Sequence, residues 1–125
     1  RGLSPHMGGT PAGTHALDAT VLAVSFNYNQ ATPNERVRYN AIMKAADDLA
    51  KVTGIVLVHE IGHSLGLVAP GMPSAGLHGD LSLHNASTGI TDVMSAVIGY
   101  ESMVSVKYAF RPLNLAYLRE AVLLK

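Results

Sequence analysis

Two histidines and a glutamate in the middle of the chain have the spacing of a catalytic metal site. The segment His59-Glu60-Ile61-Gly62-His63 has the pattern HExxH. On a helix, residues four positions apart lie on the same face, so both imidazoles can bind a single Zn²⁺ ion. The glutamate lies one position further around, within reach of a water molecule that the metal activates. The pattern predicts His59 and His63 as zinc ligands and Glu60 as the general base of a hydrolytic reaction.

A hydrolytic zinc site needs a third protein ligand, because such sites have three protein ligands and one open position. The chain contains no cysteine, so this ligand is a histidine or a carboxylate. Gly66 stands three residues after His63 and can end the helix in a left-handed conformation that directs the following loop beneath the metal. This favours a ligand from the loop over one from a later helix. The candidates are His78, Asp80, His84 and the more distant Glu101.

The same residues resemble those of the metzincin metalloproteases, whose signature HExxHxxGxxH precedes a methionine-containing turn beneath the zinc. Four positions match the signature: His59, Glu60, His63 and Gly66. The segment Asp92-Val93-Met94-Ser95 resembles the turn, with Met94 as its methionine. Ala69 stands where the family has its third histidine. The segment is more closely similar to a bacterial variant group, in which HExGHxxGLV is followed by a Gly/Pro-bearing insertion with several histidines.

The resemblance implies an order among the candidate third ligands. His84 precedes Met94 by ten residues and His78 precedes it by sixteen, whereas the family spacing is about eight. His84 is therefore the first choice, His78 the second and Asp80 the third. The resemblance also implies that Met94 underlies the site, although a lone methionine in an apolar stretch is more often a filler of the core.

The function implied by the resemblance is that of a zinc-dependent metalloendopeptidase acting on a peptide or protein substrate, secreted or in the cell envelope. Two alternatives stay open. One is a gluzincin-type hydrolase, whose third ligand would be a glutamate on a later helix such as Glu101. The other is a zinc-binding or interaction module that has the HExxH geometry without catalytic activity.

Composition argues against other classes of partner. Nine Lys and Arg balance nine Asp and Glu, so the formal net charge is zero and no basic surface for nucleic acid is expected. No apolar run reaches the 18 or so residues needed to cross a bilayer, so membrane insertion is not expected. The chain begins at Arg1, which we interpret as a processed chain or a piece of a longer one.

The elements expected to position the site are those of an α+β fold, a truncated or minimal zincin-like domain. We expect a loop-like lead-in at residues 1–17 and a catalytic domain at 18–125. Large apolar residues alternate from Leu22 to Tyr28, which predicts a strand and, by resemblance, the edge strand that pairs with substrate. Only 58 residues precede His59, which leaves little room for the further upstream strands of the family.

The helices have clearer signals. Thr32-Pro33-Asn34-Glu35 predicts a capping box at the start of a backing helix, and Gly54 predicts its end or a kink. The HExxH helix is expected over 55–67, followed by a long ligand loop, a turn around Met94 and a closing C-terminal helix. The predicted buried stripe of the backing helix consists of Val37, Ala41, Ala45, Leu49 and Val52.

Overall fold

Helices dominate the structure, a computed structural model that describes residues 12–70, 83–85, 91–96 and 98–123. About 60% of these residues are helical, about 5% lie in bridges, and no sheet forms among them. The prediction of an α+β, zincin-like fold with an edge strand is therefore wrong. The elements are α1 (Asp18–Val21), a 3-10 helix (Tyr28–Gln30), α2 (Pro33–Ser64), α3 (Tyr100–Ser105), α4 (Pro112–Tyr117) and a π-helix (Leu118–Leu123).

The chain divides into two compact units, an N-terminal unit Arg1–Ala50 and a C-terminal unit Lys51–Lys125. The expected division into a lead-in at 1–17 and a domain at 18–125 stays a prediction. Within the described ranges, no helix combines the length and the apolar character needed to cross a membrane.

The N-terminal unit has turns and short helices where a strand was expected. The N–H of Leu22 donates to the carbonyl of Asp18, and the N–H of Phe26 donates to the carbonyl of Ala23. These local bonds use the backbone groups that a strand would offer to a partner strand. The carboxylate of Asp18 also accepts bonds from the N–H groups of Gly13 and His15 at 2.7 and 3.1 Å, which holds the preceding turn.

Helix α2 begins at the predicted capping box, which is confirmed. The Oγ1 of Thr32 accepts a bond from the N–H of Glu35 at 3.3 Å, and the Glu35 carboxylate accepts one from the N–H of Thr32 at 2.7 Å. The helix then runs to Ser64, so the predicted end at Gly54 is wrong. A single glycine costs a helix only about 1 kcal/mol, less than the bonds that continue the helix on both sides of it.

The buried face of the first half of α2 agrees only in part with the predicted apolar stripe, of which Ala45 is buried as expected. Val37 and Leu49 are 71% and 47% exposed, while Arg38 and Asp48 are almost completely buried. Each buried charge has a partner in the N-terminal unit. Arg38 binds the carboxylate of Asp18 at 2.6 and 3.0 Å, and Asp48 binds Lys44 at 2.6 Å. These ion pairs therefore place the buried face of the helix at a different angle from the predicted stripe.

In the C-terminal unit, the core lies directly beyond the end of α2 and around the predicted turn. It is a cluster of four buried residues: Leu67, Val68, Val93 and Met94. The partly buried side chains packed against it are Tyr108, Phe110, Tyr117 and Leu118. The core thus joins the residues that follow HExxH to the turn predicted around Met94.

Candidate metal centre

The HExxH segment forms the last turns of α2, and the helix ends in the left-handed conformation predicted for Gly66, whose φ is +85°. The N–H of Gly66 donates to the carbonyl of His63 at 2.9 Å, and the N–H of Leu67 donates to the carbonyl of Gly62 at 3.0 Å. This pair of bonds is the Schellman pattern for ending a helix. It turns Leu67 and Val68 into the core immediately after the second histidine.

Three histidines come together at this helix end. His59 and His63 lie on one face of α2, and His84 joins them from the segment 83–85. One ring nitrogen of each lies within 4.8 Å of those of the other two, so the group is close enough to hold a metal ion. The imidazole of His84 stacks on that of His59 with ring centroids 5.2 Å apart, and it meets the edge of His63 at 5.3 Å.

A hydrogen bond fixes which nitrogen of His59 is available. Its Nδ1 lies 2.7 Å from the carbonyl oxygen of Val93. A carbonyl only accepts, so Nδ1 carries the proton and the neutral ring has its free lone pair on Nε2. That Nε2 lies 3.0 Å from the Nε2 of His63. The backbone carbonyl therefore orients His59 in the way that carbonyl and carboxylate partners orient metal-binding histidines.

The surroundings of His63 favour a neutral imidazole at that residue. Burial lowers the pKa of His63 below its ordinary value of 6.5, and the neighbouring His59 and His84 lower it further. The nearby Glu60 opposes this shift, but its effect is smaller. A metal binds the neutral form of histidine, so the surroundings of His63 hold the ring in its ligating state.

Two of the nitrogen donors have a spacing that fits a tetrahedral metal ion such as zinc. A tetrahedral ion with Zn–N bonds of about 2.0–2.1 Å places its nitrogens about 3.3 Å apart. The Nε2 atoms of His59 and His63 are 3.0 Å apart, within a few tenths of an ångström of that spacing. Among the described residues no fourth protein ligand joins the three imidazoles, a pattern that is also found in catalytic zinc sites with an open coordination position.

The turn predicted around Met94 is confirmed. The N–H of Ser95 donates to the carbonyl of Asp92, and the carboxylate of Asp92 accepts a bond from the N–H of Met94 at 2.9 Å. Met94 is fully buried, and its sulfur packs against the backbone of Gly62, between the two helical histidines. The turn also supplies the Val93 carbonyl, so it contacts the histidine group in two ways.

The other predicted site residues have different placements. Glu60 is exposed and is not one of the grouped residues. Glu101 lies exposed in the first turn of α3, also outside the group. His78 and Asp80, the second and third choices for the third ligand, lie outside the described residues, whereas the first choice, His84, lies within the group.

Two features of the site were not foreseen from the sequence. The Val93 carbonyl that binds His59 is a backbone group, which no residue pattern reveals. The other is a set of buried polar side chains beside His84, formed by Asn85, Asp92 and Asn114. The only available signal was that Asn85 follows a candidate ligand and Asp92 precedes Met94 by two positions.

Comparisons with protein families, with curated proteins and with solved structures find no match to this chain. The class of site is therefore defined by its own geometry, as a three-histidine group at a helix end that is close enough to hold a metal ion.

Proposed function

We propose that the chain is a zinc-dependent hydrolase that cleaves peptide bonds, with His59, His63 and His84 as the zinc ligands and Glu60 as the general base. The observation that carries the proposal is the approach of His84 to the two HExxH histidines. It completes a set of three histidine nitrogens, which is one of the ligand sets of catalytic zinc sites with three protein ligands.

Each residue has a distinct role in this proposal. A bound zinc ion supplies polarisation of a carbonyl group and activation of water near neutral pH. Glu60 accepts a proton from the attacking water, and its exposure leaves the carboxylate free to meet water and substrate. Its position three residues before His63 on α2 places it beside the ligands, while the ligands themselves are all histidines.

A zinc-binding module without turnover is the second candidate, and one observation favours it. An extended peptide usually binds a peptidase by pairing with the edge of a sheet, and no sheet forms among residues 12–70, 83–85, 91–96 and 98–123. This candidate shares the three ligands and differs only in the role of Glu60.

The substitution Glu60→Gln separates the two candidates, because it removes the base and keeps the ligands. We expect zinc affinity to stay within about threefold of the wild-type value while cleavage of an unstructured peptide library falls by about 10² to 10⁴, the usual contribution of a general base. The matched control is Glu101→Gln, an exposed glutamate on α3, which should leave both quantities unchanged.

Two results would contradict the proposal of a hydrolase. Cleavage that survives Glu60→Gln would remove Glu60 from the reaction. A zinc-loaded wild-type chain that cleaves no member of the library would leave the zinc-binding module as the function. Loss of zinc in the Glu101→Gln variant would instead identify a glutamate ligand.

A further inference from the structure

Three polar side chains are buried together beside the histidine group. Asn85 and Asn114 are 1% and 0% exposed, and Asp92 is 6% exposed. The amide nitrogen of Asn85 donates to the carboxylate of Asp92 at 2.9 Å and to the amide oxygen of Asn114 at 3.1 Å. Arg111 forms an ion pair with the same Asp92 oxygen at 2.6 Å. This polar cluster of Asn85, Asp92, Asn114 and Arg111 lies wholly within the C-terminal unit.

The polar cluster connects three separate parts of the chain. Asn85 belongs to the segment 83–85, Asp92 to the turn around Met94, and Asn114 to α4. The backbone adds to this connection, because the N–H of Asn85 donates to the carbonyl of Met94 at 2.9 Å. Burying such groups is costly unless they have partners, and among the described residues the Oδ1 of Asn85 has none. The two bonds donated by its amide nitrogen are therefore the side-chain bonds by which Asn85 joins these segments.

His84 lies in the chain between Asn85, which belongs to the polar cluster, and Leu83, whose backbone is strained. Leu83 has a φ of +68°, a left-handed conformation that costs a residue with a Cβ about 1 kcal/mol or more. Such a conformation persists only where surrounding contacts impose it. Asn85, directly after the histidine, ties this segment to Asp92, Asn114 and the carbonyl of Met94.

We propose that Asn85 is a positioning residue for His84: its bonds to Asp92 and Asn114 hold the third histidine against His59 and His63 before the metal binds. The proposal rests on the proposed function, in which these three histidines bind zinc. Asn85 is not one of the three grouped residues, and the proposal requires its effect on zinc binding to pass through His84.

The test is a double-mutant cycle on zinc affinity, measured by competition with a chromogenic chelator. Asn85→Ala should weaken zinc binding about 10- to 100-fold, the usual effect of removing a group that orients a ligand. In the His84→Ala background the same substitution should have no further effect, because the ligand on which it acts is gone. The control Asn40→Ala, which removes a bond to Tyr28 in the N-terminal unit, should leave zinc affinity unchanged.

A milder variant keeps the test valid if Asn85→Ala fails to fold, as judged by the helical circular dichroism of the metal-free chain. Asn114→Ala leaves the bond from Asn85 to Asp92 in place, so it should weaken zinc binding in the same direction by a smaller factor. It too should have no effect in the His84→Ala background.

The outcomes separate this proposal from the one on which it rests. Wild-type zinc affinity in Asn85→Ala, or an equal loss in the wild-type and His84→Ala backgrounds, would overturn the positioning role while leaving the zinc site intact. Failure of the wild-type chain to bind zinc would overturn the proposed function, and the positioning role with it.

Discussion

The sulfur of Met94 lies 2.6 Å from the position that a Cβ on Gly62 would occupy. Real Cβ atoms do not approach another atom so closely, so any other residue at position 62 would force the buried side chain of Met94 to shift. Gly62 is one of the two unspecified positions of HExxH, between the two histidines. Contact with the turn around Met94 therefore restricts a position that the motif leaves open.

The first prediction compares two glycines of α2. Gly62→Ala and Gly54→Ala both remove a helix-interior glycine, which by itself stabilises by about 0.5–1 kcal/mol. No atom lies within 4 Å of a Cβ at Gly54, so its substitution should show this gain. At Gly62 the added carbon must displace a fully buried side chain, which costs about 1–3 kcal/mol and should outweigh the gain.

Urea unfolding of the two variants and the wild type measures both effects. We expect Gly54→Ala to be the most stable of the three proteins, the wild type to be intermediate and Gly62→Ala to be the least stable. Equal stabilisation by both substitutions would show that Met94 does not pack against this face of α2.

The second prediction concerns the helix end at Gly66. Its φ of +85° is left-handed, and a Cβ there would lie 3.0 Å from the hydroxyl of Tyr117. Gly66→Ala should therefore cost more than the 1–2 kcal/mol typical of placing a Cβ residue in this conformation. Gly13→Ala is the control, since Gly13 has a φ of +87° with no atom within 4 Å, and it should show the conformational cost alone. Thermal unfolding that ranks Gly13→Ala as the less stable variant would contradict this account.

The third prediction is a pH dependence in the N-terminal unit. The side-chain hydrogen bonds from Arg38 lower the pKa of Asp18 far below its ordinary value of 3.8 and outweigh burial, which raises it; the N–H groups of His15 and Gly13 lower it further. Because the folded pKa lies below the unfolded one, the ionised carboxylate stabilises the fold above about pH 4. This stabilisation is lost as the pH falls from about 4 toward the folded pKa.

Acid titration of the wild type and Asp18→Asn, followed by circular dichroism, measures this contribution. The wild type should lose stability below about pH 4, and Asp18→Asn should be less stable at neutral pH with a smaller loss on acidification. The same acid dependence in both proteins would exclude Asp18 as its source.

Local signals in the sequence predicted local structure well. The capping box at Thr32 and Glu35, the left-handed Gly66 and the turn around Met94 each depend on a few neighbouring residues, and each is present. The helical form of the HExxH segment was also predicted, although Ile55 to Val58 alone would suit a strand. These features were accessible because their causes lie within a few positions of one another in the chain.

The features that the sequence did not predict depend on partners distant in the chain. Asp18 is bonded to Arg38 twenty residues away, and that pairing buries a charge where an apolar stripe was expected. The expected strand from Leu22 to Tyr28 depended on seven alternating residues, and alternation cannot supply the neighbouring strand that a sheet requires. The Val93 carbonyl beside His59 is likewise thirty-four residues away and carries no side-chain signal.

The fourth prediction assigns the third zinc ligand by substitution. His84→Ala should weaken zinc binding by more than the 10- to 100-fold typical of losing an orienting group, because it removes a ligand itself. His78→Ala and His15→Ala should bind zinc as the wild type does, since His59, His63 and His84 already supply the three protein ligands that such a site uses. Chelator competition on the three variants ranks their zinc affinities. A larger loss of affinity in His78→Ala than in His84→Ala would identify His78 as the third ligand.

The zinc K-edge absorption spectrum of the chain loaded with one zinc ion tests the central claim most directly, because it counts the imidazoles around the metal. We predict three imidazole nitrogens at about 2.0–2.1 Å with one oxygen donor in the fourth position. We further predict that one imidazole is lost in the His84→Ala variant. A spectrum with two imidazoles in the wild type, or one that His84→Ala leaves unchanged, would contradict the claim that His59, His63 and His84 form the metal centre.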